Sequence, residues 1–206
     1  MQNNKYKDRF FELLAKHSND IAPVGEKMFL FCDYIRKSNK LFNLTAIINI
    51  EDMLKKHILD SLSINCFLKG KDILDIGSGA GLPGVPLAIL RPELNFLLLD
   101  SNNKKIVFLN HVKICLDIKN IDLLHKRMED LDNAFVFDSV ICRSYASLST
   151  IYLNAKKHLK KDGVIVAMKG KLPHRELRDL CKNVNRKVIK LEVPDLLAER
   201  HAVIMS

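Results

Sequence analysis

Apolar residues in the first 65 positions recur at the spacing of an α-helix. The two apolar stripes consist of Phe10, Phe11, Leu13 and Leu14, then of Met28, Phe31, Cys32 and Ile35. Each stripe predicts a helix, and a third helix is predicted from Glu51 to Phe67. Between Ser38 and Ile48 the residues follow neither a helical nor a strand period, so we predict a loop there.

From Lys71 onward, short apolar runs alternate with helical segments, which is typical of βαβ units around a mostly parallel sheet. The predicted strands are Asp72–Ile76, Asn95–Asp100, Ile121–His125, Phe137–Cys142, Gly163–Met168, Val188–Val193 and His201–Met205. The predicted helices between them are Pro83–Leu90, Lys104–Asp117, Leu148–Leu159 and Pro173–Asn183. This pattern indicates an α/β fold with a doubly wound, seven-stranded sheet whose last strand runs antiparallel. We divide the chain into an N-terminal helical extension, 1–65, and an α/β domain, 66–206.

The composition fits a globular protein with a normal core, because 48% of the 206 residues are hydrophobic and 28% are charged. No apolar run approaches the roughly 20 residues that span a bilayer. The polar amino terminus leads into no apolar leader segment, so we expect a cytoplasmic protein. The five cysteines lie far apart without a C-x-x-C pair, which predicts reduced, mostly buried thiols and no metal site.

The chain carries 33 Lys and Arg residues against 24 Asp and Glu residues, a net charge of +9. An excess of this size favours a polyanionic partner such as a nucleic acid. Basic proteins without such partners are common, and the lysines occur as scattered pairs. Charge alone therefore leaves the partner open.

A glycine-rich segment joins the first predicted strand to the helix that follows it, with the sequence Asp75-Ile-Gly-Ser-Gly-Ala-Gly-Leu-Pro-Gly84. Glycines at 77, 79 and 81 allow a sharp turn and a close approach of the backbone to a ligand. We therefore predict a nucleotide cofactor, bound at Gly77, Gly79 and Gly81. The spacing also satisfies the dinucleotide pattern, so the glycines alone leave NAD and S-adenosylmethionine open.

Asp75 favours S-adenosylmethionine, because it places a carboxylate near the position that the pyrophosphate of a dinucleotide would occupy. Like charges a few ångströms apart in a partly dry site repel strongly. The ammonium and sulfonium groups of S-adenosylmethionine are instead attracted to a carboxylate. We predict that Asp75 faces the cofactor.

Two later strand ends offer further cofactor contacts. Asp100 can accept hydrogen bonds from both ribose hydroxyls, although an Asp at a strand end is also an ordinary helix cap. After the third strand, Glu129 is predicted to accept from the adenine amino group, with Met128 packed on the purine. Asp130 is an alternative to Glu129, and a solvated acidic turn is the alternative to both.

Residues after the fourth and fifth strands are candidates for substrate contact. Arg143 can bridge a phosphate or carboxylate with two hydrogen bonds, and Tyr145 can stack on a base. Lys169 ends the fifth strand in a similar position. A surface ion pair is the simpler alternative for Arg143 and Lys169.

Several segments in order resemble one family, the bacterial small-subunit ribosomal RNA guanine-N7 methyltransferases, also called glucose-inhibited division protein B. The resemblance covers about Asn43 to Gly170. Its motifs are Asn43-Leu44-Thr45-Ala46-Ile47, His57-Ile58-Leu59-Asp60-Ser61-Leu62, Asp75 to Gly84, Leu99-Asp100-Ser101, Arg143-Ser144-Tyr145-Ala146-Ser147 and Met168-Lys169-Gly170. Ser144 and Tyr145 depart from the alanine and phenylalanine that the family often has.

The resemblance implies a Rossmann-like class I methyltransferase fold, S-adenosylmethionine as methyl donor, and a guanine in the decoding region of 16S rRNA as target. The family's cofactor contacts fall at Gly77, Leu82, Met128, Glu129 and Arg143, which moves Arg143 toward the cofactor. The expected partner is 16S rRNA, naked or in a small-subunit particle, and we expect a monomer that binds no metal.

Guanine N7 has a free lone pair at neutral pH, so methylation there needs no general base, and we assign no catalytic acid or base. His57 is a candidate for substrate contact, and a hydrogen-bonded His57–Asp60 pair on one helix face is the simpler alternative. The predicted phosphate contacts are Lys56, Lys104, Lys105, Arg143 and Lys169. A small-molecule methyltransferase, an NAD-dependent oxidoreductase and a non-catalytic assembly factor are the competing hypotheses.

Overall fold

The computed structural model of the protein describes residues 2–17 and 19–206. Its centre is a sheet with the strand order β3-β2-β1-β4-β5-β7-β6. The strands are β1 (Asp72–Ile76), β2 (Asn95–Asp100), β3 (Ile121–His125), β4 (Phe137–Arg143), β5 (Leu159–Lys169), β6 (Arg186–Lys190) and β7 (His201–Met205). β1 to β5 are parallel, and β7 runs antiparallel to both of its neighbours. The predicted α/β sheet with an antiparallel last strand is confirmed.

Helices cover both faces of the sheet. They are α1 (Gln2–Leu14), α2 (Ile21–Phe42), α3 (Ile50–Met53), α4 (Asp60–Leu62), α5 (Gly84–Leu90), α6 (Asn103–Cys115), α7 (Leu148–Ala155) and α8 (His174–Asp179). Successive strand residues alternate between the faces: Ile73 packs with the N-terminal helices, α5 and α6, whereas Leu74 packs with α7. Burial on both faces explains why the strands are nearly continuous apolar runs.

The N-terminal helices share one hydrophobic core with the sheet, since Leu14, Phe31 and Ile58 belong to the same buried cluster as Phe96. The division into 1–65 and 66–206 stays a prediction. Every helix in the described part of the chain is too short or too polar to cross a membrane.

The loop predicted from Ser38 to Ile48 begins too early, because α2 continues to Phe42. The side chain of Asn39 accepts hydrogen bonds from the backbone N–H groups of Leu44 and Thr45 at 2.7 and 2.9 Å and donates to the Thr45 carbonyl at 2.8 Å. Asn43 then ends the helix in the left-handed conformation, with φ of 48°. These bonds hold residues 43–45 against the end of α2.

The helix predicted from Glu51 to Phe67 is interrupted by a π-helical segment, Leu54–Leu59, between α3 and α4. A separate 3₁₀ turn covers Asn65–Phe67. The widened turn buries Leu54 and Ile58 in the core and also buries His57 and Asp60. Short π-helical segments recur at functional sites.

Other differences lie at element ends. β6 is shifted from the predicted Val188–Val193 to Arg186–Lys190, because Leu191 and Val193 leave the sheet and pack into the core beside the N-terminal helices. All five cysteines are free, as predicted, but only Cys32 and Cys142 are buried. The prediction of mostly buried thiols is wrong.

The carboxyl ends of the parallel strands lie level with one another. Ile76 at the end of β1 pairs with Leu99 of β2 and with Cys142 of β4. Loops that leave these strands therefore meet at one edge of the sheet, where ligands of open α/β sheets bind.

Candidate active site

The glycine loop between β1 and α5 lies against the end of β2. The backbone N–H groups of Gly77 and Ser78 donate to the Leu99 carbonyl at 2.8 and 3.1 Å. Gly77, Gly79 and Gly81 have φ values of 65°, 58° and 88°, which residues with a side chain rarely adopt. The predicted sharp turn is therefore present.

Asp100, at the end of β2, holds the glycine loop in place through hydrogen bonds. Its Oδ2 accepts from the Gly79 N–H and its Oδ1 from the Asn102 N–H, both at 2.8 Å. The helix cap of α6 is Asn102, whose side chain accepts from the Lys104 N–H, so capping is not the role of Asp100. Each carboxylate oxygen of Asp100 keeps a lone pair for a ligand hydroxyl.

Two cavities open on either side of Gly77. The first, called cavity A, has a volume of 260 Å³, and its lining includes Ile76, Leu99, Asp100, Met128, Glu129 and Tyr145. The second, cavity B, has a volume of 400 Å³, and its lining includes Thr45, His57, Asp60, Arg143, Lys169 and Arg200. Gly77, Lys105 and Ser144 line both, so the two cavities adjoin along the glycine loop.

Cavity A contains both residues that were predicted to meet adenine. Met128 is buried in the lining, and Glu129 lines the cavity while its Oε1 accepts a hydrogen bond from Asn154 at 3.1 Å. Asp130 lies outside the lining. Of these two acids, Glu129 lines cavity A and Asp130 does not.

Tyr145 also lies in cavity A, although it was predicted to contact the substrate together with Arg143 and Lys169. Ser144 adopts a left-handed φ of 55°, so the chain turns sharply after β4. The Tyr145 ring packs against Gly77, where an added Cβ would lie 2.7 Å from its Cδ2. Partial burial raises the pKa of Tyr145. The geometry groups this ring with Asp100 and Met128.

Cavity B centres on a carboxylate shared by two arginines. Asp60 Oδ2 accepts from Arg143 Nη1 at 3.1 Å, and Asp60 Oδ1 accepts from Arg200 Nε at 2.9 Å. Arg143 Nη1 also donates to the Lys56 carbonyl at 3.1 Å. The Asp60 side chain is 3% exposed, against 19% for Arg143 and 22% for Arg200. All three side chains line the cavity, and the buried Asp60 carboxylate fixes the positions of both guanidinium groups.

His57 lies in cavity B with both ring nitrogens engaged. Nδ1 lies 3.1 Å from the Lys56 carbonyl, and Nε2 lies 2.9 Å from the Thr45 hydroxyl, whose oxygen accepts from the Ile47 N–H. Because a carbonyl only accepts, Nδ1 carries the proton and Nε2 accepts from Thr45. The suggested His57–Asp60 pair is wrong, since Asp60 binds the arginines. Burial, with the nearby Arg143 charge, lowers the pKa of His57 to about 4.

Lys169 reaches cavity B as predicted, but its ammonium is already held. Nζ donates to the Ala146 carbonyl at 2.9 Å and to Glu176 Oε2 at 2.8 Å. The same Glu176 oxygen accepts from the Leu148 N–H at 2.8 Å. Lys169 thus ties the end of β5 to the segment that follows β4.

Asp75 and Gly81 lie outside the lining of both cavities. Asp75 is fully buried beneath the loop, where Oδ2 accepts from the Gly84 N–H at 2.9 Å and Oδ1 has no partner. Burial raises the pKa of Asp75 to about 7. A Cβ at Gly81 would lie 2.6 Å from Val85 Cγ2. In this geometry both residues support the loop from behind, in place of the direct cofactor contact that was predicted.

The cleft fits a cofactor with a nucleoside and an amino-acid part. Asp100 presents oxygens to hydroxyls in cavity A, and Met128 supplies an apolar wall there. On the cavity B side, the buried Ser78 hydroxyl lacks a partner, and Arg143 offers donors to a carboxylate. No group of three or more His, Cys, Asp or Glu side chains among the described residues is arranged to hold a metal ion.

Asp60, Arg200, Thr45 and Ser144 belong to the cleft but were not predicted as site residues. Thr45 and Asp60 stand in motifs that carried the family resemblance, so that resemblance could have indicated them. Arg200 lies in a part of the chain where the resemblance is weak, 140 residues from its partner Asp60. Only the fold brings these two together.

The family model described as GidB, rRNA small subunit methyltransferase G, matches residues 25–204. The chain belongs to this family. The GidB match extends beyond Gly170, so it includes β6, Arg200 and most of β7.

Named relatives agree with this membership. A ribosomal RNA small subunit methyltransferase G of Legionella pneumophila (strain Corby) is 41% identical over 204 residues, 99% of this chain and 96% of the relative. The methyltransferase of the same name from Methylococcus capsulatus is 43% identical over 176 residues, 85% of this chain and 86% of the relative.

Among solved structures, Aeropyrum pernix fibrillarin in complex with natively bound S-adenosyl-L-methionine is similar with a TM-score of 0.54. It is 13% identical, and the match covers 68% of this chain and 67% of fibrillarin. At this identity the likeness concerns the fold, which is the Rossmann-like methyltransferase architecture.

Proposed function

We propose that this protein transfers a methyl group from S-adenosylmethionine to N7 of a guanine in 16S rRNA. The observation that carries the proposal is that the GidB match runs through every element of the cleft, from Thr45 to Arg200. The Legionella and Methylococcus relatives are named as small-subunit ribosomal RNA methyltransferases. The net charge of +9 is consistent with an RNA substrate.

The cofactor contacts divide between the cavities. In cavity A, Asp100 would accept from the ribose hydroxyls, Met128 would pack on the purine, and Glu129 would accept from the adenine amino group. Beside the loop, the backbone at Gly77, Gly79 and Leu82 would approach the amino-acid part, and the Ser78 hydroxyl and Arg143 would bind its polar groups. Asp75 and Gly81 would hold the loop shape. Bound S-adenosylmethionine supplies an electrophilic methyl group on its sulfonium.

The protein's own part in the reaction is to position the guanine, because N7 has a lone pair that needs no deprotonation. His57 suits this part, since a pKa of about 4 keeps it uncharged at neutral pH. Both of its nitrogens are occupied, so it would present its ring face to the base. Its hydrogen bond to Thr45 joins residues 43–47 to the π-helical segment, so both form part of the wall of cavity B against which the base would be aligned.

The test is methyl transfer from labelled S-adenosylmethionine to small subunits isolated from cells that lack this enzyme. We expect label in 7-methylguanosine after nuclease digestion of 16S rRNA. Label in tRNA or in metabolites, with none in 16S rRNA, would contradict the proposal. Naked 16S rRNA in parallel separates free RNA from the assembled particle as substrate.

The proposal includes a monomer that works in the cytoplasm without a metal. Light scattering of the purified protein tests the first point. Transfer that persists in the presence of a chelator, on substrates that tolerate it, tests the last.

A further inference from the structure

Two arginines share one buried carboxylate in cavity B, so Asp60 can balance only one of their two positive charges. Arg143 and Arg200 both bind Asp60, at 3.1 and 2.9 Å. The neighbouring cations have carboxylates of their own: Lys56 pairs with Asp52 at 3.1 Å, and Lys169 pairs with Glu176 at 2.8 Å. A cation that is four-fifths buried without a counter-charge of its own favours an incoming anion.

The strand order separates the positions of the two arginines. Arg143 ends β4, next to β1 and its glycine loop. Arg200 directly precedes β7, and His201 pairs with Lys169 at the end of β5. With about 4.8 Å between neighbouring strands, the backbone at Arg200 begins about 14 Å from β1. Arg143 therefore stands on the cofactor side of cavity B and Arg200 on the far side.

Arg200 has donors to spare. Its Nε binds Asp60 and its Nη1 donates to the Glu199 carbonyl at 2.8 Å, while within the described residues no acceptor lies at Nη2. The Asp60 bond fixes the guanidinium plane at the cavity wall. A planar fork held in this way matches the paired oxygens of a phosphodiester.

We propose that Arg200 binds a backbone phosphate next to the target guanine and so anchors the RNA, while Arg143 serves the cofactor. This inference rests on the proposed function. It makes Arg200 a substrate-binding residue contributed by the segment between β6 and β7, outside the motifs that carried the family resemblance.

The experiment compares Arg200→Gln with the wild type in equilibrium binding to unmethylated small subunits over a series of KCl concentrations. Each phosphate contact to a single strand contributes about 0.7 to the slope of log K against log salt. We expect the slope of Arg200→Gln to be shallower by about 0.7 and its affinity to be lower by about 10- to 100-fold. Its affinity for S-adenosylmethionine should stay unchanged.

Lys161→Gln is the matched control, because it removes an exposed positive charge near the amino end of β5, at the opposite edge of the sheet. Its slope and affinity should equal those of the wild type. An Arg200→Gln variant with the wild-type slope would overturn the proposal and leave Arg200 as a structural partner of Asp60. An equal change of slope in Lys161→Gln would also overturn it, because the effect would then be general.

If Arg200→Gln loses S-adenosylmethionine binding, the proposal is tested with Arg200→Lys instead. This variant keeps the positive charge but lacks the planar guanidinium. A raised KM for subunits at unchanged cofactor affinity supports the proposal, and a wild-type KM overturns it. The activity of the wild type distinguishes a failure of this proposal from a failure of the proposed function. If it methylates 16S rRNA, the proposed function stands whatever the Arg200 variants do, and if it does not, both proposals fall.

Discussion

Cavity A and cavity B meet at Gly77, but they are built in different ways. The contacts that form cavity A come from consecutive strand ends, as in the bond from the Gly79 N–H to Asp100, 21 residues later. Cavity B depends on contacts between distant segments, such as Asp60 with Arg143 and Arg200, 83 and 140 residues away. Cavity A thus depends on the ends of neighbouring parallel strands, and cavity B on side-chain contacts between segments far apart in the sequence.

Substitutions in the two cavities should therefore have different effects. Losing a contact in cavity A should weaken a ligand contact while the fold persists. Losing the shared carboxylate of cavity B should loosen the fold itself, because it links the N-terminal helical segment, the end of β4 and the segment before β7. Substitutions on each side test whether the two cavities are as different as their construction suggests.

The largest effect is expected for Asp100→Ala in cavity A. The change removes the acceptors of the Gly79 and Asn102 N–H groups together with the proposed ribose contacts. Charge-assisted bonds of this kind contribute about 1.5–3 kcal/mol each, so the affinity for S-adenosylmethionine should fall about 1000-fold. Isothermal titration measures it, and Asp122→Ala, an exposed acid on β3, is the control. A loss below tenfold would contradict the role of Asp100.

Asp60→Asn should have the next largest effect, this time on the fold. It leaves two guanidinium groups, each about a fifth exposed, without their carboxylate. We expect the free energy of unfolding to fall by about 3–4 kcal/mol, measured by urea denaturation. Asp52→Asn removes an exposed acid of the same helical segment and should change stability by less than 1 kcal/mol. Equal losses in both variants would remove the distinction.

His57 should make the stability of the cavity B side depend on pH. Its folded pKa of about 4 lies below the ordinary value of 6.5, so the unfolded chain binds the proton more readily as pH falls. Between pH 7.5 and 4.5 this lowers the free energy of unfolding by about 2–3 kcal/mol. His57→Asn should lose that part of the pH dependence in urea titrations. An unchanged profile would mean that the ring is not buried uncharged.

Asp75 beneath the glycine loop should act in the opposite direction. Its folded pKa of about 7 lies above the ordinary 3.8, so the folded state holds the proton more tightly. The free energy of unfolding should therefore fall as pH rises from about 4 to 7. Asp75→Asn should remove this decline. If Asp75→Asn and His57→Asn change the pH dependence of the free energy of unfolding in the same direction, the assigned pKa shifts of Asp75 and His57 are wrong.

The smallest effect separates the two acids near cavity A. Glu129→Gln changes a residue of the lining, and we expect S-adenosylmethionine to bind about 3- to 10-fold more weakly because a charge-assisted hydrogen bond to the adenine amino group becomes a neutral one. Asp130→Asn lies outside the lining and should bind as the wild type does. Isothermal titration measures both affinities. The reverse order of effects would assign the adenine contact to Asp130.

The sheet could be predicted from the sequence because its pattern is local. β1, β2, β3 and β7 begin and end at the predicted residues, since each is a short run with apolar residues buried on one or both faces between polar or turn residues. The loop around Asn39 and the shift of β6 could not be predicted. Both depend on where side chains such as Asn39 and Leu191 find partners in the folded chain.

The site residues differ in the same way: some have a local sequence pattern, and others depend on distant partners. Gly77 and Asp100 could be predicted because each stands directly after or at the end of a strand, and strand ends can be recognised in the sequence. Tyr145 was grouped with Arg143 and Lys169 as a substrate contact, but it lines cavity A while they line cavity B, and the left-handed turn at Ser144 that separates them has no glycine to indicate it. Asp60 and Arg200 carry no local sign of their function, because each is defined by a partner in another part of the chain.

The position of β7 also has a consequence for the order in which the protein is made. The strand His201–Met205 lies between β5 and β6, so β6 has no neighbour in the sheet until residues synthesised after it have arrived. Arg200, which directly precedes β7, likewise becomes available to Asp60 only at the end of synthesis. Synthesis proceeds from the amino terminus, so the glycine loop and cavity A can form on the growing chain well before cavity B. The residues proposed to contact the nucleoside part of the cofactor are therefore made before Arg200, the proposed phosphate contact, has been added to the chain.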